Sequence, residues 1–254
     1  MSKFKNAVIF GASQGIGKAL AQEFARTGTV LVLLSRNDSS AAQLCEGICK
    51  EGSNAFSRKC DITDPDSVKE GIQFALEKLG TIELVIINSG VGGPNWMSSF
   101  SSSQFKETFA VNTFGIAHVL EFIMPVMKKQ GYGTIAGVTS LADVRGYGGS
   151  SSYSASKAAG SILLEAARVE LKKDNIRVIT VRPGFVKTAM TDKNEFKMPL
   201  LMQPDKAARI IRKGIESGRS VVQFPFPIVM ATRLIKILPN WLYDWGMNLA
   251  RPKK

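Results

Sequence analysis

The chain has 254 residues, 44% hydrophobic and 21% charged, the profile of a globular protein whose length suits one domain better than two. Three cysteines and a single histidine provide neither a paired disulfide framework nor a zinc site, so no metal is expected. No run of the ~20 apolar residues needed to span a bilayer is evident, and the N-terminal residues show no signal-peptide pattern, so the expected location is cytoplasmic.

The net charge of +12 is uneven, because residues 172–254 hold 17 basic and 6 acidic side chains. Such a balance suits an anionic partner or a solvated basic face. No zinc finger, basic zipper or RNP pattern accompanies it, so nucleic acid is not expected to bind.

Apolar strands are expected at 7–10, 30–34, 55–60, 84–88, 133–138, 177–182 and 221–224. Helical patterns fall between them at about 15–27, 39–51, 65–79, 101–129, 151–173 and 204–217. Continuous rather than alternating apolar strands belong to a parallel sheet covered on both faces. The expected fold is α/β: a Rossmann-type, doubly wound parallel sheet in a three-layer α/β/α single domain spanning 1–254.

The first strand runs into Phe10-Gly11-Ala12-Ser13-Gln14-Gly15-Ile16-Gly17-Lys18. A glycine-rich turn between strand and helix lets backbone N–H groups and the helix N-terminus meet a pyrophosphate. The second strand ends at Ser35, followed by Arg36 and Asn37. An acidic residue near there would favour NAD, whereas a guanidinium matches a phosphate bidentately, so Arg36 argues for NADP over NAD. Asp38 keeps NAD open, although it also suits a cap on the next helix. Ser98–Ser103 is expected to hold a helix cap as well.

Tyr153 and Lys157 lie four apart on an expected helix and so share a face. A free phenol has a pKa near ~10, and a fixed cation beside it would favour the phenolate and fit it for acid–base work. Ser140 ends the fifth strand thirteen residues before Tyr153, and Asn112 precedes Ser140 by 28.

In these features the chain resembles the short-chain dehydrogenase/reductase family over residues 5–225. The matching pieces are Gly11/Gly15/Gly17, Asp61-Ile62, Asn88-Ser89-Gly90, Asn112, Ser140, Tyr153/Lys157 and Pro183-Gly184 with Thr188. The resemblance implies a nicotinamide cofactor and redox chemistry on a carbonyl or alcohol. It implies that Tyr153 moves the substrate proton, that Lys157 lowers the tyrosine pKa and binds the nicotinamide ribose, and that Ser140 hydrogen-bonds the substrate oxygen. Asn112 would hold a water joining Lys157 to solvent. Asp61-Ile62 would contact the adenine, Asn88-Ser89-Gly90 the adenosine ribose region, and Pro183 through Thr188, Val186 included, the nicotinamide. Phe10 and Ser89 depart from the family's usual threonine and alanine.

The loop 188–202 carries Met190, Phe196, Met198, Leu200, Leu201 and Met202, with Lys187, Lys193 and Lys197 interspersed. Methionines suit an adaptable apolar pocket, so the expected substrate is an apolar or lipid-like carbonyl or alcohol bearing an anionic group. These residues would equally close the loop onto the domain. Small residues on 151–173 (Ala155, Ala158, Ala159, Ala166 and Ala167) permit the homodimer or homotetramer that the resemblance implies. The tail 225–254 is an apolar, basic helical extension that Pro239 should break. It suits packing on the protein itself or peripheral membrane contact through 228–250. Two further readings are a reductase component of a lipid-linked sugar epimerase and a non-enzymatic cofactor-sensing regulator.

Overall fold

The computed structural model describes residues 3–194 and 198–249. Phe196 and Lys197 of the expected substrate loop, and residues 250–254 of the tail, lie outside the described residues.

Seven parallel strands form one sheet in the order β3-β2-β1-β4-β5-β6-β7. They are β1 (Asn6–Phe10), β2 (Val30–Ser35), β3 (Ala55–Lys59), β4 (Leu84–Ile87), β5 (Gly133–Val138), β6 (Ile176–Pro183) and β7 (Val221–Phe224). The order reverses between β1 and β4, which opens a crevice outside their C-terminal ends. Successive residues of one strand feed opposite layers. Ile9 and Leu33 join a core with α1 (Gly15–Ala25), α2 (Asp38–Lys50) and α7 (Pro204–Glu216), through Leu20, Phe24, Ile48 and Ile211. Val8 and Leu34 join a second core with α3 (Pro65–Leu79), α5 (Gly115–Gln130) and α6 (Ser151–Glu170), through Ile72, Ile123 and Leu164. Both faces are therefore covered, as continuous apolar strands require.

The expected helix 101–129 is not one regular helix. Ser101 caps α4 (Ser102–Phe109) by accepting from the Gln104 N–H at 3.1 Å, and a π turn at Ala110–Phe114 then separates α4 from α5. The combined run Ser102–Gln130 is long and apolar enough to cross a membrane by length and composition, which corrects the expectation that no such run exists. Ile116, Val119, Leu120, Ile123 and Met127 are buried in the second core, so the apolar side of α5 is spent on the sheet.

The cap of α2 also differs from expectation. Asn37, not Asp38, accepts the Ser40 N–H at 3.2 Å, and Asp38 is the first helical residue. After β7 come α8 (Phe226–Ile237) and α9 (Asn240–Leu249), with Pro239 at the break between them.

Candidate active site

The loop after β1 is built for glycine. Gly11 takes φ +76°, and a Cβ there would lie 2.7 Å from the Ser89 nitrogen. A Cβ on Gly17 would sit 2.0 Å from the Gly11 carbonyl oxygen, so the first turn of α1 is pressed onto the loop that feeds it. That same oxygen accepts from the Asn88 amide at 2.9 Å, which binds the end of β4 to the glycine loop. Gly15, at φ +55°, faces the Thr188 methyl group across the crevice, and its Cβ would stand 2.9 Å from it. The Gln14 side chain does not cap the α1 N-terminus, and Ser13 and Ile16 are half-buried beside it. An open hollow of about 390 Å³ borders Gly15, Lys18, Lys187 and Thr188, but it is not lined by Ser140, Tyr153 or Lys157. Bare backbone, an uncapped helix end and flanking lysines fit a dinucleotide pyrophosphate.

The remaining expected cofactor residues sit around this cradle in different ways. Ser35 is buried and accepts from the Asn37 N–H at 3.3 Å, whereas Arg36 and Asn37 are exposed. Asp61 accepts from the Thr63 N–H and hydroxyl at 2.9 and 2.8 Å. Burial raises its carboxyl pKa, but those hydrogen bonds and the charges of Arg36 and Lys59 outweigh it, and the net shift is downward. The Ile62 side chain is buried in the second core and its carbonyl pairs with His118 Nδ1 at 3.0 Å, so only its backbone N–H is left for a ligand. Asn88 is committed to the glycine loop through its side chain. Ser89 and Gly90 are half-buried, and a Cβ on Gly90 would lie 3.1 Å from Lys157 Nζ. Pro183 ends β6, the Gly184 N–H donates to the Phe224 carbonyl at 2.7 Å, and Val186 is buried opposite Met202. Met202 is thus a core residue rather than part of a pocket.

Ser140, Tyr153 and Lys157 converge above the end of β5. Ser140 leaves the strand in an extended conformation and accepts from the Ala142 N–H at 3.1 Å, which opens a short 3-10 turn at Leu141–Asp143. The Tyr153 phenol faces the Ser140 side chain. Lys157 Nζ donates to the Val138 carbonyl at 3.0 Å and stands 5.8 Å from the Tyr153 ring centroid. Asn112 is fully buried in the π turn. Its amide donates to the Val91 carbonyl at 2.8 Å and the Ser156 hydroxyl at 3.0 Å, and its oxygen accepts the Val91 N–H at 2.8 Å. The side chain therefore holds the loop after β4 against α6. π turns concentrate at functional sites because they displace one residue from the helical register.

The electrostatics correct the expected tyrosine–lysine pairing. Burial pushes the Tyr153 phenol up, against the opposing pull of the neighbouring Ser140 hydroxyl, and the Asp143 charge raises it further. Burial also pushes Lys157 down to about 8, with Asp143 working the other way. The lysine hydrogen-bonds a backbone carbonyl, not the phenol, and desolvation outweighs the attraction expected between them.

Several contributors were invisible to the linear reading. Asp143 lies behind Ser140 and is gripped by Arg182 of β6, while Ser161 of α6 donates to it at 2.5 Å. Gly92 forms a wall against Tyr153, where a Cβ would lie 2.9 Å from the ring and 3.4 Å from Met190 Sδ. Asn95, buried, donates to the Ser101 carbonyl at 3.0 Å and the Ser152 hydroxyl at 2.7 Å, which ties the loop after β4 to the start of α6. Glycine and asparagine in a loop carry no chemistry by type, and Asp143 meets Arg182 only through the sheet, so no local signal could have marked them.

A profile of the short chain dehydrogenase family matches residues 5–198. An uncharacterized oxidoreductase of Myxococcus xanthus is 34% identical over 248 residues, 98% of each chain. A 7α-hydroxysteroid dehydrogenase solved with NADH and 7-oxo glycochenodeoxycholic acid superposes with a TM-score of 0.81 at 29% identity, covering 87% of this chain and 92% of its own. An alcohol dehydrogenase of Thermococcus sibiricus solved with 5-hydroxy-NADP gives 0.79 at 28% identity, covering 87% and 95%.

Proposed function

The chain belongs to the short-chain dehydrogenase family of oxidoreductases, and on that premise we propose that it is an NADP(H)-dependent enzyme acting on an apolar carbonyl or alcohol. One observation carries the chemistry: Tyr153 and Ser140 sit together beside buried Lys157, whose Nζ donates to the Val138 carbonyl at the end of β5, at the mouth of the crevice that the glycine loop borders. Reduced nicotinamide, when bound, supplies the hydride that the carbonyl carbon accepts. Tyr153 gives its phenolic proton to the oxygen as the C=O becomes CH–OH, and takes it back in the oxidative direction. Ser140 donates to the same oxygen, where negative charge develops. Lys157, protonated at neutral pH, holds positive charge near the phenol and offers N–H donors to a ribose hydroxyl. Asn112 positions this arrangement by fixing Val91 and Ser156, and carries the expected water only beyond those three bonds.

Arg36, exposed at the end of β2, supports NADP, since it can reach a 2′-phosphate without losing a buried partner. Met190 beside Gly92 and Tyr153, with Leu200 and Leu201 exposed on the same loop, supports an apolar substrate. The anionic steroid bound by the hydroxysteroid dehydrogenase is the kind of ligand this surface suits. Phe114, Ile162 and Val169 are exposed on the π turn and α6 and support a homo-oligomer through that face. Cys45, Cys49 and Cys60 are free thiols, in keeping with a cytoplasmic location. The proton-relay set weighs against a sensor without catalysis, and an epimerase reductase would use the same groups on a lipid-linked substrate.

The test is to titrate the protein with NADPH and NADH and offer each complex long-chain ketones, steroid ketones and small sugars. NADPH oxidation by the apolar ketones, abolished in Tyr153→Phe while cofactor binding persists, is expected. Full activity in Tyr153→Phe would overturn the assignment of the proton donor, and preference for sugars would overturn the substrate class.

A further inference from the structure

The two C-terminal helices present an apolar face that nothing among the described residues covers. Helix α8 buries Val229 and Thr232 alone, with Ile228 and Ile235 half-buried, and α9 buries no residue. Outward, α8 presents Met230, Leu234 and Ile237, and α9 presents Trp241, Trp245 and Leu249. Spacings of three and four place each trio on one side of its helix. Trp241 and Trp245 are 72% and 62% exposed, a large apolar area to leave in water.

These helices are nevertheless held firmly. Arg145 donates to the Leu238 carbonyl and to Asn240 Oδ1, each at 2.9 Å, and its guanidinium lies 4.2 Å from the Tyr243 ring centroid. The Tyr243 hydroxyl donates to the Gly146 carbonyl at 2.6 Å. Both anchors, Arg145 and Gly146, lie on the segment between Ser140 and Tyr153, so the apolar face is fixed at the rim of the candidate active site. Other exposed apolar residues, Met97 and Leu200 among them, follow the C-terminal ends of β4 and β6 on that same side of the sheet.

Charge distinguishes the occupant. Arg233 and Lys236 are exposed on α8, which has no acidic residue, and Asp244 is the one acid of α9. A two-fold contact between copies would set this basic helix against itself, whereas anionic headgroups would neutralise it. At 12 and 10 residues neither helix can span a bilayer, but a tryptophan-bearing face with flanking cations suits its surface. We infer that α8 and α9 dock the protein on the surface of a bilayer containing anionic lipid, with the active-site rim facing the membrane. The inference stands apart from the redox reading, because docking needs neither cofactor nor turnover.

The experiment sediments the full chain with phosphatidylcholine vesicles made with and without phosphatidylglycerol, and follows tryptophan emission. Binding to the phosphatidylglycerol vesicles with a blue shift is expected. Trp241→Ser/Trp245→Ser and Arg233→Glu/Lys236→Glu should each weaken it by about tenfold or more, with the far-UV signal and NADPH affinity unchanged. If the tryptophan pair fails to fold, the charge-reversal pair decides alone. No binding by the wild type, or equal binding by the charge-reversal pair, overturns the proposal. So does a wild-type oligomer that ignores vesicles and falls apart in the variants, which would make a second copy the occupant.

Discussion

Arg182 grips Asp143 with two nitrogens, its Nε lying 2.9 Å from Oδ2 while Nη2 reaches Oδ1. The carboxylate side chain is 2% exposed and the guanidinium 22%, so the acid is desolvated while its partner keeps an edge in water. With Ser161 as third donor, one carboxylate joins the turn after Ser140 to β6 and α6. Asp143→Ala should cost about 1–3 kcal/mol, because it leaves a part-buried guanidinium and the Ser161 hydroxyl without their acceptor; urea unfolding measures this. Asp143→Asn keeps the shape and removes the charge. Asp143 raises both Tyr153 and Lys157, so the alkaline limb of the pH–rate profile should move to lower pH in the asparagine variant. An unmoved limb would mean that Asp143 acts through geometry alone.

Lys157 carries a stability cost whose sign depends on pH. Burial lowers it from 10.5 to about 8. Between those values the unfolded chain holds the proton and the folded chain does not, so this contribution to stability rises with pH. The cost is fully present below about 8 and disappears toward 10.5, and it amounts to about 3 kcal/mol. Cys45 and Cys60, raised to about 11 by burial, bend the curve the other way in both proteins. The comparison with Lys157→Met therefore isolates the lysine. The variant should gain on the wild type at neutral pH, lose that gain by pH ~10, and turn over no substrate. A pH-independent difference in urea midpoints would contradict the lowered pKa.

What was legible in the sequence was local. The glycine loop announced itself because Gly11, Gly15 and Gly17 fall between a strand and a helix, and Tyr153 with Lys157 because a four-residue step is one helical turn. The sheet followed from apolar runs such as Val30 to Leu34, since a strand buried on both faces cannot alternate. The π turn at Ala110–Phe114 was hidden, because apolar periodicity continues through it and the cause, Asn112 reaching Val91, lies across a chain separation of 21. Asp143 with Arg182 was hidden for the same reason at a separation of 39. The lysine–tyrosine spacing was read correctly, but its electrostatics were not: spacing gives proximity, whereas burial decides which charged form survives.

Asn112 offers a test of that hidden turn. It is fully buried, and it satisfies both the N–H and the C=O of Val91. Asn112→Ala strands both groups, at about 1–3 kcal/mol for each. The Val91 amide should then exchange with deuterium far faster, while amides of β1 are unaffected at matched stability. Asn112→Asp keeps the acceptor for the Val91 N–H and loses the donor, so it should fall between the two. Wild-type exchange at Val91 in the alanine variant would show that the turn is held by something else.

The proposed preference for NADPH rests on Arg36 and can be tested there. It stands exposed at the end of β2, and its charge acts on Asp61, which faces the same crevice. A guanidinium there gains a charge-assisted pair with a 2′-phosphate and nothing comparable with a 2′-hydroxyl. Arg36→Ala should therefore weaken NADPH by about 1.5–3 kcal/mol, roughly ten- to a hundredfold, and leave NADH within about twofold. Arg36→Asp should go further and invert the preference, because a carboxylate accepts from a ribose hydroxyl and repels a phosphate. Fluorescence titration of both cofactors against the three proteins gives the answer. Equal losses for NADPH and NADH would mean that Arg36 only orders the end of the strand, and the cofactor choice would pass to Asp38 or to a neighbouring cation such as Lys59.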